Sequence, residues 1–257
     1  MSEHDFPSSE ELQEIDACGV HYRDLNARIR RVLQCGPCQR LILRRVCGQR
    51  YIGTGLRTGV CIEIHGTPGN DLGAFMDGPT IVVHGNAQDG SGNTLNSGEI
   101  VVHGRAGDIT GYAMRGGRIF VRDGVGYRAG IHMKEYGERR PALVIGGTAQ
   151  PFLGEYMAGG VVLLLGLDLR PGEPHRTLHV GTGMHGGVIY LRGAIQDWQL
   201  GREVGRAELD GSDWLLVEHL VRDYVGYFGG DIRAILKGPF VKLYPRYLRP
   251  YGNLYAY

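Results

Sequence analysis

Ile62-Glu63-Ile64-His65-Gly66 recurs as Ile81-Val82-Val83-His84-Gly85, as Ile100-Val101-Val102-His103-Gly104 and as Ile119-Phe120-Val121-Arg122-Asp123, each 19 residues after the last. Three more copies follow, Leu143-Val144-Ile145-Gly146-Gly147, Val162-Leu163-Leu164-Leu165-Gly166 and Ile189-Tyr190-Leu191-Arg192-Gly193. The segments between them align as well. Gly73, Gly92, Gly111, Gly130, Gly154 and Gly181 form one column, and Met76, Leu95, Met114, Met133, Met157 and Met184 form another three residues on.

A β-branched run of four or five residues bounded by glycines reads as a short strand. One such strand cannot bury an apolar face alone, so the copies must stack. The expected fold is all-β: a single-stranded, right-handed parallel β-helix of about seven coils, with α-helices flanking both ends. The columns headed by Ile62 and Ile64 should point inward, the methionines should fill the coil, and the glycines should make turns of positive φ or close packing between coils.

The column between the two inward ones reads Glu63, Val82, Val101, Phe120, Val144, Leu163, Tyr190. A solvated sheet face would be polar. This face should therefore be covered, by the terminal helices of the chain or by another protein, and self-association through it is open.

Length and composition agree with one elongated domain. The 43 glycines among 257 residues exceed twice the ordinary share of about 7 %, and the repeat accounts for them. A net charge of +1 argues against nucleic acid as the main partner. There is no apolar run long enough for a membrane span, and the acidic start lacks an apolar leader, so a cytoplasmic location is expected.

The chain divides into an N-terminal helical lead-in (1–40), the β-helix (41–193) and a C-terminal part of helices and an extended aromatic arm (194–257). Residues 1–16 are polar, with Ser8 and Glu11 in capping-box spacing, and read as a short helix or a disordered lead-in. Tyr22, Leu25, Ile29, Val32 and Leu33 mark one helix face, and Trp214, Val217, Val221, Tyr224, Val225 and Phe228 another. Asp231 to Leu236 reads as a further short helix. Leu41-Ile42-Leu43 should open the first coil, with Gly53 and Leu56 echoing the glycine and methionine columns one residue out of phase. The 19-residue step is broken by insertions at 134–141 and 167–176, which in a solenoid project from one face. The ending from Pro239 to Tyr257 is too apolar for a free tail.

No constellation reads as an active site. There is no Gly-x-Ser-x-Gly elbow, P-loop, His-Glu-x-x-His or Rossmann fingerprint in its proper context. Asp71, Asp89 and Asp108 resemble the stacked carboxylates of calcium-dependent lyases, but turn aspartates ordinarily bond local backbone. The six-residue period of left-handed acyltransferase helices is absent. His65, His84 and His103 stack one coil apart and Arg122 continues the column; they read as a polar ladder, since a coil spacing of about 4.8 Å is long for imidazoles sharing one zinc. Cys35 and Cys38 form a Cys-x-x-Cys turn, and Cys47 and Cys61 complete a four-thiolate set of non-standard spacing, open to a metal or redox role or to none.

Gly-Asn-Asp-Leu-Gly-Ala-Phe-Met at 69–76 and Gly-Asp-Ile-Thr-Gly-Tyr-Ala-Met-Arg-Gly-Gly at 107–117 resemble the GXGXG β-helix domain that closes the large subunit of glutamate synthase. The similarity runs from about His21 to Leu191 and includes Gly48-Gln49-Arg50-Tyr51-Ile52-Gly53. The closing Arg249-Pro250-Tyr251-Gly252-Asn253-Leu254-Tyr255 is similar to stand-alone versions of the domain, and the C-type subunit of formylmethanofuran dehydrogenase is also similar. The resemblance implies a right-handed β-helix without catalytic residues, a scaffold in a complex that moves glutamine-derived ammonia to 2-oxoglutarate. Its partners would be a glutamine amidotransferase and a synthase subunit carrying FMN and an iron–sulfur cluster, with no cofactor on this chain. The alternatives are a formylmethanofuran dehydrogenase-type scaffold, an independent β-helix enzyme or a thiol metal module. The Cys-Gly-Pro-Cys turn departs from the family pattern and leaves a local metal or redox role open.

Overall fold

The computed structural model describes residues 12–36 and 38–247. Strand β1 (Leu12–Asp16) is followed by helix α1 (Tyr22–Cys35) and then by eight strands that stack in sequence order. These are β2 (Arg40–Cys47), β3 (Cys61–Thr67), β4 (Asp77–His84), β5 (Ser97–Val102), β6 (Arg118–Val121), β7 (Ala142–Ile145), β8 (Ala158–Leu164) and β9 (Gly186–Arg192). All pair in parallel, one coil per strand. The seven repeat strands β3 to β9 bound six turns, and β2 adds one before them.

Register follows the sequence columns. Ile62 pairs with Ile81, Ile81 with Ile100, Ile100 with Ile119, Ile119 with Leu143, Leu143 with Val162 and Val162 with Ile189. A slip by one residue would turn every inward side chain outward, so the buried face fixes the pairing. Both inward columns are fully buried, and so is the Met76–Met184 column. The insertions leave the register intact because they lie in turns. The out-of-phase start has a local cause: β2 carries an extra residue between Leu43 and Val46, a bulge in which Arg45 takes a φ of 54°.

On the turn side of each coil, three alternate positions adopt left-handed backbone. Gly92 (φ 72°) is flanked by Gly90 (70°) and Thr94 (52°); Gly154 (67°) is flanked by Phe152 (70°) and Tyr156 (53°). The middle position is always glycine because its missing side chain would point into the core. A Cβ on Gly73 would stand 2.7 Å from the Cδ1 of Ile100. The outer two positions do not point into the core and accept side chains, some exposed (Phe75, Tyr156) and some buried between coils (Thr94), at a cost of roughly 1–2 kcal/mol each for the unfavourable φ. Left-handed residues turn successive amides in opposite directions. Gly92 N–H donates back to Leu72 O (2.8 Å), and Thr94 N–H donates forward to Tyr112 O (2.7 Å). The turn side is thus hydrogen-bonded between coils although it is not a sheet.

Both ends are closed. Leu25 and Ile29 of α1 join the coil interior, and the buried Gln49 side chain donates to Ala17 O (2.9 Å) and Val20 O (3.1 Å). At the other end β10 (Val204–Ala207) and β11 (Phe240–Pro245) pair antiparallel, and β11 pairs antiparallel with β9. Val204 and Leu243 enter the interior, and the buried Gln199 donates to His175 O and Thr177 O, both at 2.7 Å.

Two expectations need correction. Residues 12–16 are neither helix nor loose lead-in but a strand pairing in parallel with β2, from Leu12–Arg40 to Asp16–Arg44. The first coil strand would otherwise leave its backbone groups unpaired along a long edge. The capping-box pair Ser8 and Glu11 lies outside the described residues. The C-terminal part, expected to hold helices and an extended arm, also contains the strand β10. The aromatic ending supplies β11, an integral strand, up to Pro245; Leu248–Tyr257 lies outside the described residues.

From Phe120 to Tyr190 the apolar outer column is covered within the chain. Helix α2 (Gly211–Phe228) lays Val217, Leu220, Val221 and Tyr224 over Phe120, Val144, Leu163 and Tyr190, and Ile235 of α3 (Ile232–Leu236) completes this second core. Asp210 caps α2 through a reciprocal capping box with Asp213. Its carboxyl is held down at about 2 by hydrogen bonds from Ser212 and the Asp213 amide.

Candidate functional site

Among the described residues, the cover from the C-terminal helices stops short of the N-terminal coils. Phe228, the last residue of α2, packs edge-on against the His103 ring at 5.0 Å. Beyond it the outer face carries polar groups. His84 stacks on His103 (5.3 Å) and His65 on His84 (4.6 Å), as register pairing of β3 with β4 requires. Glu63 precedes His65 by two residues, so both side chains leave the same face of β3. One Glu63 oxygen, Oε1, meets Arg40 Nε at 2.6 Å; the other, Oε2, lies 3.7 Å from His84 Nε2. Among the described residues, Glu63, His65 and His84 bring donor atoms within 4.8 Å of one another. Arg40 holds the Glu63 carboxyl below the usual carboxylate range. Burial, then the nearby His84 and Arg44, hold the His65 imidazole below its ordinary value, and burial does the same for His103. The 19-residue period marks the histidines as a ladder but does not join Glu63 to them; the available signal is that Glu63 is the one charged residue in the outward column.

The four cysteines do not converge. Arg40 pairs with Cys61 at one end of β2 and β3, and Cys47 pairs with Thr67 at the other. At about 3.3 Å per residue, Cys61 and Cys47 stand roughly 20 Å apart. Burial pushes the Cys61 and Cys38 thiols up, away from the reactive thiolate. Cys35 is exposed at the end of α1, and no cysteine among the described residues is disulfide-bonded.

Two of the aspartates serve the backbone and the third a neighbouring side chain. Asp89 Oδ1 accepts from the Asp108 amide at 2.9 Å, Asp108 Oδ1 accepts from the Tyr127 amide at 2.8 Å, and Asp71 Oδ1 accepts from the Asn93 side chain at 3.0 Å. Each is tied to a neighbouring coil rather than directed at a shared ligand.

The insertion at 167–176 overhangs a cleft of about 380 Å³ lined by Leu169, Arg170, Glu173 and Arg192 among others. His175, only 2 % exposed, anchors this loop: its Nε2 meets Arg192 O at 2.8 Å and its Nδ1 has no hydrogen-bond partner among the described residues. The sequence offered no pattern that singles out His175, because its burial depends on the loop folding back over β9.

A second surface feature lies on the turn side. Three left-handed positions carry exposed aromatic rings, Tyr51, Phe75 and Tyr156, and Tyr127 is exposed nearby in sequence to the same turns. His132 stacks on Tyr156 (5.4 Å), Phe152 stacks on His179 (4.8 Å), and the Arg128 guanidinium lies 5.0 Å from the Phe152 ring.

A β-solenoid whose coils each close on three alternate left-handed residues, the middle one glycine, defines a class, and the chain falls in it. The profile of the GXGXG motif family matches residues 36–245, and the chain belongs to that family, the GXGXG domain of glutamate synthase. It is a glutamate synthase-related module. It is also 45 % identical over 249 residues to the uncharacterized protein MJ1350 of Methanocaldococcus jannaschii, covering 94 % of this chain and 95 % of the relative. Among the described residues no helix is long and apolar enough to cross a membrane.

Proposed function

We propose that this chain is a non-catalytic scaffold of a glutamate synthase-like complex. It would hold a glutamine amidotransferase and a synthase subunit carrying FMN and an iron–sulfur cluster, in the cytoplasm. The single observation that carries this reading is the set of exposed rings at left-handed positions on the turn side. Phe75 and Tyr156 spend conformational energy on left-handed backbone where glycine would be unstrained, and still present their rings to solvent. Strain retained at a surface points to a function there. Tyr, Phe and Arg on the turn side are residue types enriched at protein interfaces. The family membership supplies the kind of complex.

The test is affinity purification of the full chain from its own cells, with partners identified by mass. The scaffold reading expects the amidotransferase and the flavin synthase subunit, and expects Phe75→Gly together with Tyr156→Gly to release them while the fold is retained. Recovery of the chain alone, or with molybdenum or tungsten subunits of a formylmethanofuran dehydrogenase, overturns it.

A further inference from the structure

We propose that Glu63, His65 and His84 form a binding site for a first-row divalent cation of the zinc class, on the part of the outer face that α2 leaves open. This does not depend on the scaffold reading and concerns different residues. Two imidazole nitrogens and one carboxylate oxygen are the donor set that suits zinc, cobalt or nickel rather than calcium or magnesium. Three protein donors leave one tetrahedral position for water or a ligand.

The strand pairing supplies the pre-organisation. His65 and His84 are register partners on adjacent parallel strands, and Glu63 shares the outward face of β3 with His65. The rings are already stacked at 4.6 Å with an interplanar angle of 20°. A tetrahedral ion at about 2.0–2.1 Å from each donor needs donors roughly 3.4 Å apart. The present spread, within 4.8 Å, closes by rotation about the last side-chain bond of histidine, which has a broad energy profile. This answers the objection that the coil spacing is too long: the spacing fixes the backbones, not the ring nitrogens.

Glu63 is oriented for the role. Arg40 holds Oε1 at 2.6 Å and leaves Oε2 on the side of His84. A ligating carboxylate steadied through its second oxygen is the usual outer-shell arrangement of metal sites. The other nearby cation, Arg44, is paired with Glu14 at 3.3 Å. His103 lies one coil further and is packed against Phe228, so it belongs to the covered part of the column.

The test is titration of the metal-stripped, tag-free full chain with Co²⁺, read by the visible bands of a bound ion, with Zn²⁺ as competitor. The site predicts one equivalent bound at micromolar concentration, with nitrogen and oxygen rather than sulfur character, displaced by Zn²⁺. His84→Ala and Glu63→Gln should each weaken binding by at least about tenfold. His84 is exposed, so its truncation leaves the fold intact. His103→Ala should leave affinity unchanged. No binding by the wild-type chain overturns the proposal. So does binding that survives His84→Ala and Glu63→Gln, or that shows the sulfur character of the cysteines.

Discussion

The Tyr224 hydroxyl donates to the main-chain carbonyl of Arg122 at 2.8 Å, across the bare Cα of Gly146. A Cβ on Gly146 would collide with both the hydroxyl and the carbonyl. Burial, followed by the Asp123 charge, pushes the phenol up to about 12, so it stays a donor. Tyr224→Phe should cost about 1 kcal/mol, one net hydrogen bond. Gly146→Ala should cost more, about 1–3 kcal/mol, because it lifts α2 off the second core. Denaturant midpoints of the two variants decide this; equal losses would mean that α2 tolerates the displacement.

The left-handed turns make a paired prediction. Gly73→Ala adds a Cβ 2.7 Å from Ile100 Cδ1 at a φ of 65°, and should destabilise by roughly 2–4 kcal/mol, overpacking and strain together. Ala113→Gly, at a φ of 51° on the outer position, removes strain and should be neutral or stabilising by up to about 1 kcal/mol. Thermal unfolding measures both. If Ala113→Gly destabilised as much as Gly73→Ala, the distinction between middle and outer positions would be wrong.

His175 gives a pH dependence. Burial holds its imidazole below the ordinary 6.5, only partly offset by its bond to Arg192 O. The unfolded chain therefore takes up a proton at about 6.5 that the folded chain refuses. Its contribution to stability is complete above that pH and is lost as pH falls through 6.5 toward the lower folded value. His175→Gln should be less stable than wild type near pH 8 by about 1–2 kcal/mol, with the gap narrowing near pH 5.5. Urea titrations at both pH values test it; parallel profiles would rule out His175 as the source.

Asp213 joins two ends of the second core. Its carboxylate accepts from Tyr190 OH at 2.5 Å and from Lys242 Nζ at 2.8 Å, and it is 4 % exposed. Asp213→Ala leaves the half-buried Lys242 and the buried Tyr190 hydroxyl without this partner and breaks the α2 capping box, and should cost about 3–5 kcal/mol. Asp213→Asn keeps one acceptor and should cost less. Equilibrium unfolding of the pair separates the charge from the hydrogen bond.

The repeat made most of the fold readable. Register, the inward columns and the methionine stack followed from a period of 19 residues, because a buried face admits only one pairing. The helices α1 and α2 were readable from their apolar faces. The strand Leu12–Asp16 was not, because an edge strand that buries almost nothing carries no apolar alternation. The Cys35, Cys38, Cys47, Cys61 set looked close in sequence and is not close in space, since β2 is extended and carries Cys47 to its far end.

The amino-acid sequence alone determined the coil: local β propensity, glycine at each inward-facing left-handed position and similar apolar side chains in register all act along a single repeat, so neighbours in the pattern are neighbours in space. The tertiary structure decided what the repeat could not encode. It chose the chain's own C-terminal helices as the cover for Phe120 to Tyr190, ended that cover at Phe228, and so left Glu63, His65 and His84 open together. Those outcomes depend on contacts across 100 residues or more, such as Tyr224 with Arg122 and Tyr227 with Glu99. Such contacts are fixed by where a helix can lie against a finished sheet, and no periodicity in the sequence records that.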